Sequence, residues 1–168
     1  MKKFIGAICS GIAGILTFVW LSLDWFVVKT TAGVDYREAV KGWELIADKE
    51  GMYAKVFEGA YTLYKVFAIL MLVLACLLIV SAVVMLLKNL NVIKCKFNLS
   101  IINNILLTVF VVAVIGALAG VAVMGNEYFK AVGKPEDAYM GASVGAWIAL
   151  AVSVVACGCG WALARKDK

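Results

Sequence analysis

The sequence predicts an all-α membrane protein, a single membrane domain (1–168) that forms a four-transmembrane-helix bundle. Four stretches contain no aspartate, glutamate, lysine, arginine or histidine: 4–23, 66–87, 97–126 and 138–164. A hydrocarbon layer about 30 Å thick requires roughly 20 helical residues, and each stretch reaches that length. Hydrophobic residues make up 64% of the chain and the mean hydropathy is +0.97, both above the values typical of soluble domains.

The charge-free stretches set the predicted spans. We predict transmembrane helices over 4–23, 61–87, 99–125 and 138–164. They are joined by an outer loop over 24–60, a cytoplasmic loop over 88–98 and a second outer loop over 126–137. The first helix follows Lys2 and Lys3, as the core of a signal peptide would. Its apolar core is too long for a signal peptide, and no Ala-x-Ala cleavage site precedes Asp24, so we expect it to be retained.

Basic residues are distributed unevenly between the two sides of the predicted membrane. The side with both termini and the 88–98 loop carries eight basic residues and one acidic residue, whereas the other side carries eight basic and ten acidic residues. Lysine and arginine in short loops remain in the cytoplasm, so we predict a multi-pass protein of the plasma membrane with both termini cytoplasmic. The pI is near 9.0, and the expected partner of the basic loops is the lipid bilayer, because such loops contact anionic headgroups. No nucleic acid partner is expected.

The first outer loop is predicted to form a small extracytoplasmic cap. A short extended strand begins at Asp24, where aromatic and β-branched residues are frequent. An amphipathic helix over 35–50 follows, because Asp35 and Glu38 have capping-box spacing and apolar residues recur at helical intervals. The candidate partner interface consists of apolar side chains from this loop: Trp25, Tyr36, Val40, Trp43 and Ile46.

Small residues recur at regular spacing inside the spans. The second span repeats alanine every seven residues, as a coiled-coil seam does, and the others place small residues four apart. Lipid tails are as apolar as leucine, so membrane helices associate through close backbone approach, which small residues permit. We predict helix packing at these positions, with contacts in a homo-oligomer or to a protein partner as the alternative. The residues are Gly6, Ser10, Gly14, Ala68, Ala75, Ala82, Gly116, Gly120, Gly141, Gly145, Ala149 and Ser153.

Two groups of polar side chains in the spans are candidate chemical sites. Cys9, Cys157 and Cys159 lie at similar depth and could bind a soft metal or form a redox pair. Residues two apart on a helix face different directions, however, and buried cysteines commonly act as small hydrophobes. Asn103 and Asn104 could line a polar passage, although hydrogen bonding between helices is the preferred interpretation. We expect no cofactor and no metal.

The composition disfavours catalysis. The chain has no histidine, and the predicted spans contain no aspartate or glutamate that could serve as an acid or base. A nucleophile would therefore lack a base, and no Gly-rich loop between a strand and a helix is present to hold a phosphate. The acidic residues of the first outer loop alternate with lysines, as on a solvated surface. We predict that the protein is not an enzyme.

The plan of the chain resembles that of claudin-like tetraspan proteins, with both ends inside, a long first outer loop and a short second one. Trp25 and Gly42-Trp43 match part of the claudin loop signature. The claudin cysteine pair is missing from the outer loops, so the disulfide-tied sheet and the junction-forming activity are not implied.

The chain is also similar to small uncharacterised four-transmembrane-helix proteins of bacterial membranes. Those proteins have a Leu-Pro-Trp-like motif at the end of the first helix and a Gly-Phe-Asp-Leu-like motif in the following loop. Here Leu23-Asp24-Trp25 and Gly42-Trp43-Glu44-Leu45-Ile46 occupy these places, with Asp24 instead of the proline. This similarity covers about 25 residues and implies a fold rather than an activity.

The sequence therefore favours a non-catalytic integral membrane protein that acts as a scaffold, an accessory subunit or an assembly partner through its first outer loop. One alternative is a subunit of an oligomeric channel or transporter, whose pore would form between copies. A further alternative is a membrane immunity or defence protein. The partners expected are the lipid bilayer and either a second protein or further copies of the chain.

Overall fold

The structure is a computed structural model, and it describes residues 2–30, 36–49, 51–94, 97–132 and 138–164. The described residues form four long helices, one short helix and three strands. The helices are α1 (Lys2–Leu21), α2 (Gly42–Ala47), α3 (Met52–Asn89), α4 (Leu99–Val132) and α5 (Val144–Ala164). The strands are β1 (Asp24–Thr30), β2 (Tyr36–Lys41) and β3 (Ala138–Ala142).

The four long helices form an up-and-down bundle. Helix α3 packs against both α1 and α4, and α5 packs against α4 and α1, so that consecutive long helices are neighbours around the bundle. All four are long and apolar enough to cross a membrane, which confirms the predicted membrane bundle. Because the chain crosses four times, the start of α1 and the end of α5 lie at the same end of the bundle.

The long helices differ in length, and this difference creates the space that the sheet occupies. Helices α1 and α5 have 20 and 21 residues, whereas α3 and α4 have 38 and 34. At 1.5 Å per residue, α3 and α4 are roughly 57 and 51 Å long, more than a bilayer core requires. The start of α3 and the end of α4 extend past α1 and α5, and the strands pack against them. We call residues 24–65 and 138–143 the cap.

The cap contains a three-stranded antiparallel sheet of order β2-β1-β3. In its register, Val28 lies opposite Glu38 of β2 and Met140 of β3. Strand β3 precedes the last long helix, so the sheet joins the two connections at this end of the bundle. The fold is thus mostly helical but not all-α as predicted.

The amphipathic helix predicted over 35–50 is present only from Gly42 to Ala47, and the chain over 36–41 is strand β2. Pairing with β1 outweighs the helical pattern there, because it satisfies the backbone hydrogen bonds and buries Val40. Similarly, the predicted span over 138–164 begins as strand β3, and its helix starts only at Val144. A strand of the cap and the first turns of a span can both lack charge, so the absence of charge does not distinguish them.

Helix α3 bends at Glu58, whose φ of 22° and ψ of −94° are not helical. Positive φ at a residue other than glycine is uncommon and carries a steric cost. The bend separates a first segment, Met52 to Phe57, from the long membrane helix. It brings Phe57 beside the sheet, where its ring lies edge-on to Phe26 with centroids 6.1 Å apart.

Small residues line the interfaces between the long helices. At Gly14 of α1, an added Cβ would lie 2.8 Å from the carbonyl oxygen of Ala75 in α3. At Gly120 of α4, it would lie 2.7 Å from the Cα of Tyr64 in α3. Both contacts are with backbone, so neither site has room for a side chain. The alanines and serines of the predicted packing set are all buried: Ser10, Ala68, Ala75, Ala82, Ala149 and Ser153.

The other four glycines of the predicted packing set have different surroundings. Gly6 faces the flexible end of Met85, and Gly116 faces the ring of Phe67. Gly141 is in β3, opposite Val27, and does not belong to a helix. Gly145, in the first turn of α5, lies against the backbone of Asp24 at the start of β1.

Candidate functional site

Two tyrosines of α3 hold the short helix α2 in place. The Tyr64 hydroxyl donates to the carbonyl of Gly42 over 3.1 Å, and the Tyr61 hydroxyl donates to the carbonyl of Leu45 over 2.9 Å. Both hydrogen bonds are buried, and the Leu45 side chain is fully enclosed. Because α2 has only six residues, these tertiary contacts rather than helix propensity stabilise it.

The five predicted interface residues do not form one surface. Trp25 is 0% exposed, with its ring edge-on to Tyr64, and Val40 is also buried, so these two side chains belong to the core. Ile46 is half-buried against that core. Trp43 is 37% exposed and stacks on Phe18 of α1 with centroids 6.3 Å apart. The side chain of Tyr36 lies outside the described residues.

A turn after α2 sets the direction of the first segment of α3. Asp48 has a left-handed backbone, and its carboxylate accepts hydrogen bonds from the N–H groups of Tyr53 (3.2 Å) and Ala54 (3.1 Å). These N–H groups belong to the first turn of α3, where backbone N–H groups have no acceptor within the helix. A carboxylate at this position also interacts favourably with the helix dipole. The segment is thereby fixed beside the sheet.

Between that segment and the sheet lies an open cleft, which we call the cap cleft. It consists of two adjoining cavities of about 300 and 250 Å³ that share Met52 and Tyr53. Apolar side chains from three strands and from α3 line most of it: Phe26, Val28, Val40, Met52, Val56, Phe57 and Met140. Met52 is 51% exposed and Val56 is 58% exposed, although both lie outside the charge-free part of α3.

The edge of the cap cleft is acidic. Glu38, Glu44 and Asp48 line it, and the basic residue among its described lining is Lys49. Burial of the Tyr53 phenol, followed by the negative charges of these three carboxylates, raises the pKa of Tyr53 above 10.0. The described lining of the cleft therefore combines an apolar floor with three acidic residues and one basic residue.

Met52, Tyr53 and Val56 lie in the predicted outer loop over 24–60 but are absent from the predicted interface. A signal was available, since the apolar residues Met52, Val56 and Ala60 continue a helical face through a segment that also carries Lys55 and Glu58. The acidic edge could not be found in the same way. Its three carboxylates come from β2, α2 and the following turn, and only the fold brings them together.

Some polar side chains of the bundle connect neighbouring helices. Ser81 of α3 donates to the side-chain oxygen of Asn103 over 2.9 Å, and the Asn104 amide donates to the carbonyl of Gly160 over 3.2 Å. Cys157 lies 3.6 Å from the hydroxyl oxygen of Thr108. Within the described parts of the chain, no group of three or more histidine, cysteine, aspartate or glutamate side chains is placed to hold a metal ion. Cys95 lies outside those parts.

No protein-family model and no curated protein matches the chain. The fold and the cleft define a four-helix membrane-spanning protein with a sheet-containing cap.

Proposed function

We propose that the protein is a non-catalytic accessory or scaffold protein of the cell membrane, and that its cap cleft binds an apolar segment of a partner protein with basic residues at its ends. The observation that carries the proposal is the cleft itself. It exposes Met52 and Val56 outside the charge-free part of α3 and places Glu38, Glu44 and Asp48 at its edge. Exposed apolar surface with a polar edge is typical of protein interaction sites.

The proposal includes an orientation. The cap is placed outside the cell, with both termini in the cytoplasm, because basic residues dominate the end of the bundle opposite the cap. A partner is then an extracytoplasmic segment or the outer part of another membrane protein. Acidic residues on the cleft favour a basic partner and accelerate its encounter.

Site-specific photo-crosslinking in native membranes tests this function. A photoreactive side chain at Val56 should give a discrete adduct with a second polypeptide. The matched control is Val66, which is on the same helix and is exposed to a similar degree but lies in the charge-free span. The same adduct at both positions, or none at Val56, would show that the cleft is not the contact.

A charge-neutralised background tests the chemistry of the partner. Glu44→Gln should lower the adduct yield at Val56, and added salt should lower it further, because exposed charges are screened. Glu127→Gln, at an exposed position of α4, is the control and should leave the yield unchanged. If Glu44→Gln had no effect at any salt concentration, the partner would not be basic.

A further inference from the structure

A second groove runs along the opposite side of the cap and continues into the bundle. Its lower part, about 280 Å³, lies between α4 and α5 and is lined by apolar side chains, including Ala119, Ala122 and Leu150. Its upper part, about 260 Å³, is bounded by β1, β3 and the start of α5. Ala142 and Trp147 line both parts, so the two form one surface, which we call the α5 groove.

The lower part faces lipid. Ala119 and Ala122 are exposed on α4, and their small side chains leave space between neighbours such as Ile115 and Trp147. Hardly any polar surface is present there, as expected for a groove within the hydrocarbon layer. Trp147 stands where the apolar and polar parts meet, and indole rings favour that depth.

The upper part contains polar groups at the start of α5. Ser143 precedes α5, and its carbonyl accepts hydrogen bonds from the N–H groups of Ala146 and Trp147. The first N–H groups of a helix lack partners within it, and the helix dipole makes this end attractive to negative charge. The Ser143 side chain is only 8% exposed and lines the groove, yet its hydroxyl donates no hydrogen bond to any residue that the structure describes. This hydroxyl is therefore a donor on the groove wall that has no described partner.

Lys29 supplies a full positive charge to the same part of the groove. It is exposed on β1, lines the upper part of the groove, and forms no ion pair with a described residue. The described lining of both parts contains no acidic residue. The Tyr139 hydroxyl is already engaged with the carbonyl of Ala142 at 2.9 Å, so Lys29 and Ser143 are the groups left to bind an anion.

We propose that the α5 groove binds an anionic phospholipid from the leaflet on the cap side. The phosphate lies near Lys29, Ser143 and the start of α5, and one acyl chain lies along Ala119 and Ala122. A lipid is favoured over free phosphate because the anion-binding end is continuous with an apolar groove at membrane depth. The site is independent of the cap cleft and of the proposed function.

Native mass spectrometry of the purified full chain, after exchange into equal mixtures of phosphatidylglycerol and phosphatidylcholine, tests the proposal. We expect phosphatidylglycerol to be retained preferentially. Lys29→Gln should reduce this preference about fivefold, the effect of one lysine at a membrane surface. Lys55→Gln, at an exposed lysine of α3, is the charge-matched control and should have no effect. Equal retention of both lipids, unchanged by Lys29→Gln, would indicate adventitious lipid only and overturn the proposal.

Two further arms test the acyl chain and the source of the phosphate. Ala122→Phe fills the lower part and should reduce phosphatidylglycerol retention, whereas Val112→Phe, at an exposed position of the same helix, should not. Inorganic phosphate should not displace the lipid or raise the melting temperature. Displacement by inorganic phosphate, or retention unaffected by Ala122→Phe, would show that the groove is not a lipid site.

Discussion

The indole N–H of Trp25 donates a hydrogen bond to the main-chain carbonyl oxygen of Trp20 over 2.8 Å, and this bond ties the start of β1 to the end of α1. Both side chains are buried, so the bond is shielded from water. The chain therefore leaves the bundle in a fixed direction, which orients the sheet over α1.

Replacing Trp25 with phenylalanine should destabilise the protein by about 1 kcal/mol through loss of this hydrogen bond, with a further cost from the smaller ring. Thermal unfolding in detergent measures the difference. Trp43→Phe is the matched control, because Trp43 is partly exposed and donates no hydrogen bond to a described residue. Equal losses in the two variants would contradict the role assigned to the Trp25 N–H.

Gly120→Ala should destabilise the bundle by roughly 1–3 kcal/mol, since the new methyl group would overlap the backbone of Tyr64 and α3 would have to move. The control is Gly158→Ala in α5, where an added Cβ meets nothing within 4 Å. Alanine is the better helix former, so Gly158→Ala should be neutral or stabilising. Denaturation of both variants in mixed micelles tests the pair, and a tolerated Gly120→Ala would contradict the close approach of α3 and α4.

Tyr53 should titrate above pH 10.0, because its burial and then Glu38, Glu44 and Asp48 raise the pKa of its phenol. The folded state thus disfavours the phenolate. The stabilising contribution is complete below the unfolded pKa of 10.0 and is lost as the pH rises through the folded pKa. The difference in phenolate absorbance between the wild type and Tyr53→Phe measures this titration, and Glu44→Gln should move it down. A difference that titrates at or below pH 10.0 would contradict the acidic edge of the cap cleft.

Ser81→Ala should cost about 0.6 kcal/mol, the typical contribution of a hydrogen bond between membrane helices. The amide nitrogen of Asn103 is buried and has no hydrogen-bond partner among the described residues. Replacing Asn103 with leucine removes that unpaired donor as well as the bond, so Asn103→Leu should be no less stable than Ser81→Ala. Refolding or thermal melts of the two variants decide the point. A much larger loss in Asn103→Leu would show that the amide makes a contribution beyond its bond with Ser81.

The spans could be predicted from the sequence because charged side chains are disfavoured throughout the hydrocarbon layer. The absence of charge over 66–87 locates the membrane part of α3, and small residues such as Gly14 and Gly120 mark where backbones approach closely. The sheet could not be predicted in the same way. Strand β2 exists because β1 offers it hydrogen-bond partners, and that relationship between two segments is absent from the periodicity of either one.

The residues of the candidate sites were likewise only partly predictable from the sequence. Trp25 and Val40 were expected on an interface because of their residue types, but the fold places both inside the cap. Burial depends on which elements cover a side chain, and no single-segment pattern supplies that information. The bend at Glu58 places the helical segment of Met52 and Val56 beside the sheet, and the pattern of that segment alone does not show this position.

The pairing of β1 with β3 has a consequence for biogenesis. Strand β1 leaves the ribosome before α3 and α4, whereas β3 is made only after both of them. One edge of β1 therefore remains unpaired while α3 and α4 enter the bilayer. The sheet of the cap is complete only when β3 has been synthesised and pairs with β1. A chain that stopped after α4 would keep an unpaired strand edge, and such edges pair with strands of other chains. The pairing of β3 with β1 is thereby the step that completes and protects the cap.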